Sequence, residues 1–355
     1  MDRVNFAIIG TGGVAEFHAK ALSECKIARL AACYDGVPQR AVDFAQRHGI
    51  EAETTLDGLL ARRDVAAVII ATPSGAHKEV TMAAAGAGKH VLCEKPLEVT
   101  LERADEMIRA CEENKVTLGC VFQARTAKNV QVIRRALDQG RLGKLILAGV
   151  QVKWFRDQAY YDSASWRATW KLDGGGVLIN QSIHVIDLLR LFAGPAKTAH
   201  AFMATRTHSR IEAEDTLVAS VLFMNGALGT IEASTSCAPG FPRKLELSGE
   251  RGSVILEDDR IVRWAFRDQT EEDERILAEG MKSDAMPGGS TSYAAMSHEG
   301  HRRQFEDFAQ AILEGRPPLV PGPEGRHALE LICGIYASAK AGLPYDYEKR
   351  ALIGQ

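Results

Sequence analysis

Short apolar runs alternate with helix-period patterns from the start of the chain to Phe122. Val4–Ile9, Ala28–Tyr34, Ala66–Ala71, His90–Cys93 and Val116–Phe122 read as strands. Between them, Gly13–Glu24, Gln39–His48, His77–Gly88 and Leu101–Asn114 read as helices. The strand runs lack strict polar alternation, the mark of strands covered on both faces. Strand–helix–strand repetition with right-handed crossovers builds a parallel, doubly wound sheet.

Beyond Phe122 the pattern changes. Lys128–Gln139 predicts a helix closed by the turn Gly140–Gly143, and Lys144–Phe155 one long alternating strand. A helix near Gln181–Phe192 ends before Gly194–Pro195. Strand patterns follow at Ala199–Arg206, Thr216–Phe223, Ala227–Ser236, Lys244–Leu247, Ser253–Leu256 and Ile261–Phe266. Met224–Gly226 and Gly249–Gly252 carry hairpin signals. Arg267–Tyr293, acidic and then rich in Gly, Ser and Met, reads as a mobile loop. His298–Leu313 and Glu324–Gly342 close the chain as helices. The expected fold class is α/β followed by α+β. A parallel doubly wound sheet spans residues 1–122, and an α/β domain with an open, mainly antiparallel sheet spans 123–355. The last helix, 324–342, is expected to pack back on the first domain.

A net charge of −3 with 46% hydrophobic and 25% charged residues is the balance of a globular enzyme. It argues against nucleic acid or a membrane surface as partner, since either needs a basic face. No window approaches the ~20 apolar residues of a membrane span. A strand pattern begins at Val4, which leaves no room for a signal peptide. The seven cysteines show no C-x-x-C spacing and several sit in apolar runs. They read as free thiols of a reduced, cytoplasmic compartment.

Candidate chemistry begins where the first strand runs into Gly10-Thr11-Gly12-Gly13-Val14-Ala15. This is G-x-G-x-x-A, with Gly10, Gly12 and Ala15 in the three special positions. Such a loop turns tightly, lets backbone approach a pyrophosphate and packs its helix closely on the strand. The helix N-terminus adds free N–H groups and a positive dipole end. Asp35 closes the next strand at the spacing where a carboxylate accepts from adenine-ribose hydroxyls and repels a 2′-phosphate. NAD is therefore favoured over NADP, with Arg40 the residue that would serve a phosphate instead. The combination predicts a Rossmann domain. Ligands in such sheets lie beyond the carboxyl ends of the strands. That places Thr72, Pro73 and Ser74 along the cofactor, while His77 either contacts it or caps the following helix. The next strand ends in Glu94-Lys95-Pro96, with a candidate cis proline. Lys95 would sit near the nicotinamide, where a crowded ammonium can exchange protons with an alcohol. His298 and His301 beside Glu299 lack a third ligand at useful spacing, so no metal is expected. No G-x-S-x-G elbow is present.

Gly10–Ala15, Thr72-Pro73-Ser74, Glu94-Lys95-Pro96 and the run Asp173-Gly174-Gly175-Gly176-Val177-Leu178-Ile179-Asn180-Gln181-Ser182-Ile183-His184-Val185-Ile186-Asp187 together resemble the Gfo/Idh/MocA oxidoreductases. The resemblance covers essentially the whole chain. It implies NAD(P)-dependent oxidation of secondary alcohols on sugars and cyclitols, and homodimers or homotetramers built through the C-terminal sheet. It implies that Lys95 and His184 flank the reacting carbon, and that Gln123 and the Glu94-Lys95 pair contact the cofactor. Many members carry an aspartate where this chain has Asn180. An amide cannot take a proton, so the base role falls to His184 or Lys95, and Asn180 positions substrate.

Asn180-Gln181, Trp154–Asp162, Trp166–Trp170 and Ile211–Thr216 are similar to a narrower group that includes UDP-N-acetylglucosaminuronate 3-dehydrogenases. The block is chemically suited to a sugar. Tyr160 and Tyr161 supply hydroxyls, and Trp166 and Trp170 supply flat faces. Arg156 and Arg167 are suited to a carboxylate or pyrophosphate. The expected activity is NAD-dependent oxidation of a pyranose ring hydroxyl at carbon 3, on a sugar or sugar-nucleotide uronate. Its rivals are a dehydrogenase of free sugars, cyclitols or glycosides, an NAD-retaining glycosidase, and a sensor that binds NAD and sugar without turnover.

Overall fold

The computed structural model describes residues 3–282 and 297–354. The chain divides into two compact units, residues 1–123 with 298–329, and residues 124–297 with 330–355.

In the first unit, β1 (Val4–Ile9), α1 (Gly13–Ser23), β2 (Ala28–Tyr34), α2 (Pro38–His48), β3 (Glu51–Ala52), α3 (Leu56–Ala61), β4 (Ala67–Ile70), α4 (His77–Gly86), β5 (His90–Cys93), α5 (Leu101–Glu113) and β6 (Leu118–Cys120) follow in order. The strands form one sheet in the order β3-β2-β1-β4-β5-β6, and every pair is parallel. The order reverses between β1 and β4, and such a reversal opens a crevice at the carboxyl ends of the strands. All four residues of β4 are buried, which explains its unbroken apolar run. Thr55 and Thr100 start α3 and α5 by accepting backbone N–H groups three residues on.

In the second unit, α6 (Lys128–Asp138), β7 (Leu145–Lys153), α7 (Gln158–Asp162), α8 (Ile183–Ala193), β8 (Ala196–Ala204), β9 (Thr216–Phe223), β10 (Leu228–Ser234), β11 (Lys244–Gly249), β12 (Gly252–Glu257), β13 (Arg260–Phe266) and α9 (Glu271–Gly280) follow. α10 (Glu299–Glu314) belongs to the first unit, where Phe305 and Phe308 join Phe6, Ile8 and Phe44 in the core. Val320 then receives the Cys120 N–H at 3.0 Å, so the returning chain lies along β6. The last helix, α11 (Gly322–Ala341), is followed by β14 (Tyr345–Asp346) and β15 (Ala351–Leu352). The second sheet has nine strands in the order β13-β12-β11-β7-β10-β9-β8-β14-β15. Its neighbours are antiparallel except β7 and β10. α8 packs against β7, its apolar residues from Ile183 to Ala193 buried except the half-buried Leu191.

The fold class follows the sequence reading, with two departures. Residues 298–329, expected in the second domain, fall in the first compact unit. Part of the loop expected over Arg267–Tyr293 is helix α9. Thr270 caps it and Asp273 answers in a reciprocal capping box, and four acidic residues occupy the first turn, where the helix dipole favours them. Residues 283–293 of that stretch lie outside the described residues. No described helix is long and apolar enough to cross a membrane.

Candidate functional site

The loop after β1 is built for close approach. Gly10 has φ +93°, and a Cβ there would stand 2.7 Å from the Ala71 carbonyl oxygen, so only glycine fits. Gly12 and Gly13 face open space, and Gly12 caps α1 with no side chain. The first N–H groups of α1 are thus presented beside a loop that a phosphate can approach. Asp35 Oδ2 accepts from the Thr11 N–H at 2.8 Å and its hydroxyl at 3.0 Å, and Oδ1 from the Val37 N–H at 2.8 Å. Asp35 therefore pins the glycine loop as well as closing β2. At the tip of β4 the Thr72 hydroxyl is buried with no hydrogen-bond partner among the described residues. An orphaned hydroxyl beside an open, glycine-lined helix start fits a dinucleotide lying across these strand ends. Val14 lies in the first turn of α1, and Pro73 and Ser74 continue from Thr72 into the turn before α4.

His77 is neither a surface cap nor turned toward that loop. It is buried, with Nδ1 3.0 Å from the Pro96 oxygen and Nε2 3.0 Å from the Thr72 oxygen. Burial holds its pKa below the ordinary value. Its contacts tie the tip of β4 to the turn after β5, a bracing role that neither expectation named.

Glu94 is also buried. Its Oε1 meets His18 Nε2 at 2.8 Å and its Oε2 accepts the Lys95 N–H at 3.0 Å. Burial pushes this carboxyl up, but the hydrogen bond and charge of His18 and the Lys95 ammonium hold it at about 2. Lys95 is half-buried and the Lys95–Pro96 peptide is cis. His301 presents a ligand atom within 4.8 Å of those of His18 and Glu94. Burial and the neighbouring His18 lower its pKa to about 3. His298 Nε2 pairs with Glu24 at 2.8 Å. Gln123 is half-buried in the turn after β6.

In the second unit the glycine run ends in a single π turn, Val177–Gln181, that leads into α8. Isolated π turns recur at functional sites. Here the cause is visible. Glu214 Oε2 accepts from the Gly176 N–H at 3.0 Å, and Oε1 from the Leu178 N–H at 2.9 Å and the Tyr336 hydroxyl at 2.8 Å. The Tyr336 oxygen in turn faces the N–H groups of Gly176 and Ile179. A Cβ at Gly175 would come within 2.3 Å of that oxygen, and one at Gly176 within 1.8 Å of the Glu214 carbonyl. Gly175 and Gly176 let the backbone wrap a buried carboxylate and a phenol. Burial drives the Glu214 carboxyl up to about 7, against the pull of these donors. At the other side, Arg125 grips Asp187 of α8 through two hydrogen bonds of 2.8 and 2.6 Å, both residues buried.

This frame holds Asn180, Gln181 and, one turn on, His184, which is half-buried. Asn180 Nδ2 donates to Asp173 Oδ1 at 2.6 Å, and Gln181 Nε2 donates to Asn180 Oδ1 at 2.9 Å and to the Tyr160 hydroxyl at 2.6 Å. Arg167 donates to the same Tyr160 oxygen at 2.9 Å and stacks over the rings of Tyr160 and Trp166. Arg156 is buried, with Nη2 3.4 Å from Gln181 Oε1. Arg156, Tyr160, Trp166, Arg167, Asn180 and Gln181 are thus one cluster. Tyr161 is corrected. Its hydroxyl bonds Thr235 at 2.7 Å and its ring packs on His208 and Tyr160, which makes it part of a small core with Ala168 and Ala213. Trp170 is likewise covered, by the edge of Tyr336 and by the Lys340 ammonium 3.6 Å from its ring centre. Sequence reasoning missed His18, Arg125, Asp173, Asp187, Glu214 and Tyr336 as site-forming residues. Asp173, Glu214 and Asp187 stood inside matched motifs, and Tyr336 carried no local signal.

Residues 4–122 match the oxidoreductase family with an NAD-binding Rossmann fold, and residues 130–255 match the GFO/IDH/MocA C-terminal domain. The WlbA dehydrogenase of Bordetella pertussis, solved with NADH and UDP-GlcNAcA, is 31% identical, with 97% of each chain covered and a TM-score of 0.88. Inositol 2-dehydrogenase of Rhizobium meliloti is 26% identical over 92% of this chain and 94% of its own length. The scyllo-inositol 2-dehydrogenase (NAD+) of Bacillus subtilis is 28% identical over 99% of each. Both domain matches and the likeness over nearly the full length agree, and the chain belongs to the Gfo/Idh/MocA family of NAD-dependent oxidoreductases.

Proposed function

We propose that the protein oxidises carbon 3 of a pyranose uronate carried on a nucleoside diphosphate, within the broader class of sugar and cyclitol dehydrogenases. The observation that carries this reading is the cluster of Arg156 and Arg167, each laid against aromatic rings, beside the amides of Asn180 and Gln181. Two guanidiniums on aromatic planes suit an anionic sugar better than a neutral cyclitol. The likeness to the WlbA dehydrogenase, whose structure holds UDP-GlcNAcA, supports it.

The chain's own residues divide the work. Oxidation of an alcohol removes the hydroxyl proton and the hydride on the same carbon. NAD, when bound along Gly10–Val14, Asp35, Thr72, Pro73, Ser74 and Gln123, supplies the hydride acceptor. His184 takes the hydroxyl proton, since imidazole titrates near neutral pH and exchanges protons without large cost. Lys95 holds the alcohol oxygen by its ammonium and stabilises the negative charge that develops there. Glu94, anchored by His18, keeps the Lys95 backbone in place. Asn180 and Gln181 fix the ring by hydrogen bonds. We also propose that copies associate through the open face of the nine-stranded sheet as homodimers or homotetramers.

The test is a single-turnover panel. Protein stoichiometric with NAD is mixed separately with a UDP-linked N-acetylglucosaminuronate, free sugars, inositols and a glycoside, and NADH is followed by absorbance. NADH with the UDP-linked uronate alone supports the reading. NADH with inositol or a free sugar instead moves the protein to the cyclitol and free-sugar side of the family. Glycoside cleavage without net NADH would indicate a retained cofactor.

A further inference from the structure

We infer that Asp173 is a positioning residue that decides which atom of Asn180 is presented to the substrate. This rests on the dehydrogenase reading only in placing Asn180 at the substrate.

An amide side chain has a donor end and an acceptor end, and its neighbours decide which way round it sits. Asp173 is 2% exposed. Its Oδ2 accepts the Ala168 N–H at 2.7 Å, and its Oδ1 lies 2.6 Å from Asn180 Nδ2. A carboxylate only accepts, so the NH2 end of Asn180 must face Asp173 and the oxygen must face away. The order then propagates. Asn180 Oδ1 accepts from Gln181 Nε2 at 2.9 Å, and Gln181 Oε1 faces Arg156 Nη2 at 3.4 Å. Two amides run head to tail between a buried anion and a buried cation, with every link of the same polarity. Each group in such a chain polarises the next.

The pairing accounts for the departure from the family pattern. An aspartate at position 180 would set a second carboxylate against Asp173, where only 2.6 Å separates the facing atoms now. Two carboxylates sharing a site cannot both ionise cheaply. Asp173 and Asn180 are therefore matched. The oxygen that other members present from a carboxylate is presented here by an amide that Asp173 has oriented.

Exchange of the two residues tests the pairing. In Asp173→Asn, the Ala168 N–H claims the amide oxygen at position 173, so its NH2 faces Asn180. Asn180 must then turn, and donor meets donor at Gln181. In Asn180→Asp, carboxylate meets carboxylate. In the double variant, Asn at 173 donates to Asp at 180 and an oxygen again faces Gln181. With the UDP-linked uronate and NAD as probes, each single change is expected to lower kcat/KM for the sugar about tenfold or more, and the double to recover to within about threefold of the parent. NAD affinity, read by fluorescence titration, stays constant across all four proteins.

A second readout needs no substrate. In Asn180→Asp the facing carboxyls have a folded-state pKa raised above the unfolded one. Their protonated pairing is intact in acid and is lost as pH rises through that value, so this variant melts progressively below the parent from pH 5 to 8. The surrounding ionisable groups, Arg156, Arg167, Tyr160, Tyr161, His184 and Glu214 with Tyr336, are common to all four proteins. The difference in slope therefore reports the pair, and the double variant follows the parent. The inference is overturned if Asn180→Asp melts with the parent's pH dependence, or if the double variant is no better than the worse single. Absence of turnover by the parent on every sugar would overturn the dehydrogenase reading instead, and the melting cycle would still decide the pairing.

Discussion

Asp35 acts on the cofactor in two ways. Through Thr11 it holds the glycine loop against β2, and in the proposed role its carboxylate also excludes a 2′-phosphate. Asp35→Ala is expected to lower the NAD-over-NADP preference in kcat/KM by about tenfold, with some loss of NAD affinity from the freed loop. Unchanged selectivity would remove Asp35 from the role assigned to it. His184→Ala is expected to abolish turnover while NAD titration stays near the parent curve, because the cofactor loop lies in the other unit. Parent-like turnover would return the base role to Lys95. What was legible at this scale had a local cause. Gly10 must be glycine because of its φ and the Ala71 carbonyl, and Lys95 follows a strand that ends in a proline turn. Asp173 was not legible as a partner, since nothing in its own neighbourhood says that it faces Asn180. Tyr161 misled because a tyrosine in an aromatic loop has the same sequence signature whether its hydroxyl faces substrate or Thr235.

At the scale of elements, the glycine run and α8 form a mount held from several directions. Glu214 and Tyr336 hold its N-terminal side and the Arg125–Asp187 pair holds the helix itself. The helix could be seen in the apolar period of Ile183–Ala193. Its mount could not, because Tyr336 lies 122 residues from Glu214 in the chain. Gly176→Ala, which puts a Cβ 1.8 Å from the Glu214 carbonyl, is expected to destabilise the second unit by at least ~3 kcal/mol in denaturant melts. A loss within error would mean that the run is not clamped as described. Tyr336→Phe removes the hydroxyl that bonds Glu214 and is expected to cost about 1–3 kcal/mol. Glu214 also sets a pH dependence. Its folded pKa of about 7 stands above its ordinary 4.5, so its contribution is fully present in acid and is lost as pH rises through 7. Glu214→Gln lowers the melting temperature overall but flattens its fall between pH 5 and 8. An unchanged slope would mean that Glu214 stays ionised across that range. Helix α9 shows the converse failure of reading. Its strongly acidic first turn reads as a loop in sequence, although the capping box at Thr270 and Asp273 starts a helix there.

At the scale of the molecule, the two sheets present different surfaces. The parallel sheet buries its central strands β1 and β4 almost completely, whereas the nine-stranded sheet leaves apolar side chains exposed. Leu222, Leu228 and Leu147 stand opposite one another across β9, β10 and β7, and Phe202, 67% exposed, pairs with Val218. A row of this kind marks an interaction surface. Light scattering is expected to give a dimer or tetramer, and Phe202→Glu with Leu228→Lys a smaller species of unchanged melting temperature. A monomeric parent would remove the proposed association. The alternation that builds this face was legible strand by strand. The return of residues 298–329 to the first unit rests on long-range contacts such as Phe308 in the core of β1, beyond any local pattern. The central claim concerns one bond, the carbon–hydrogen bond at carbon 3 of the sugar. It is tested most directly with UDP-linked N-acetylglucosaminuronate carrying deuterium at that carbon, mixed with NAD and parent protein, with the nicotinamide product weighed by mass spectrometry. Deuterated NADH, formed more slowly than from unlabelled sugar, is the predicted result. Unlabelled NADH, or none, would contradict it.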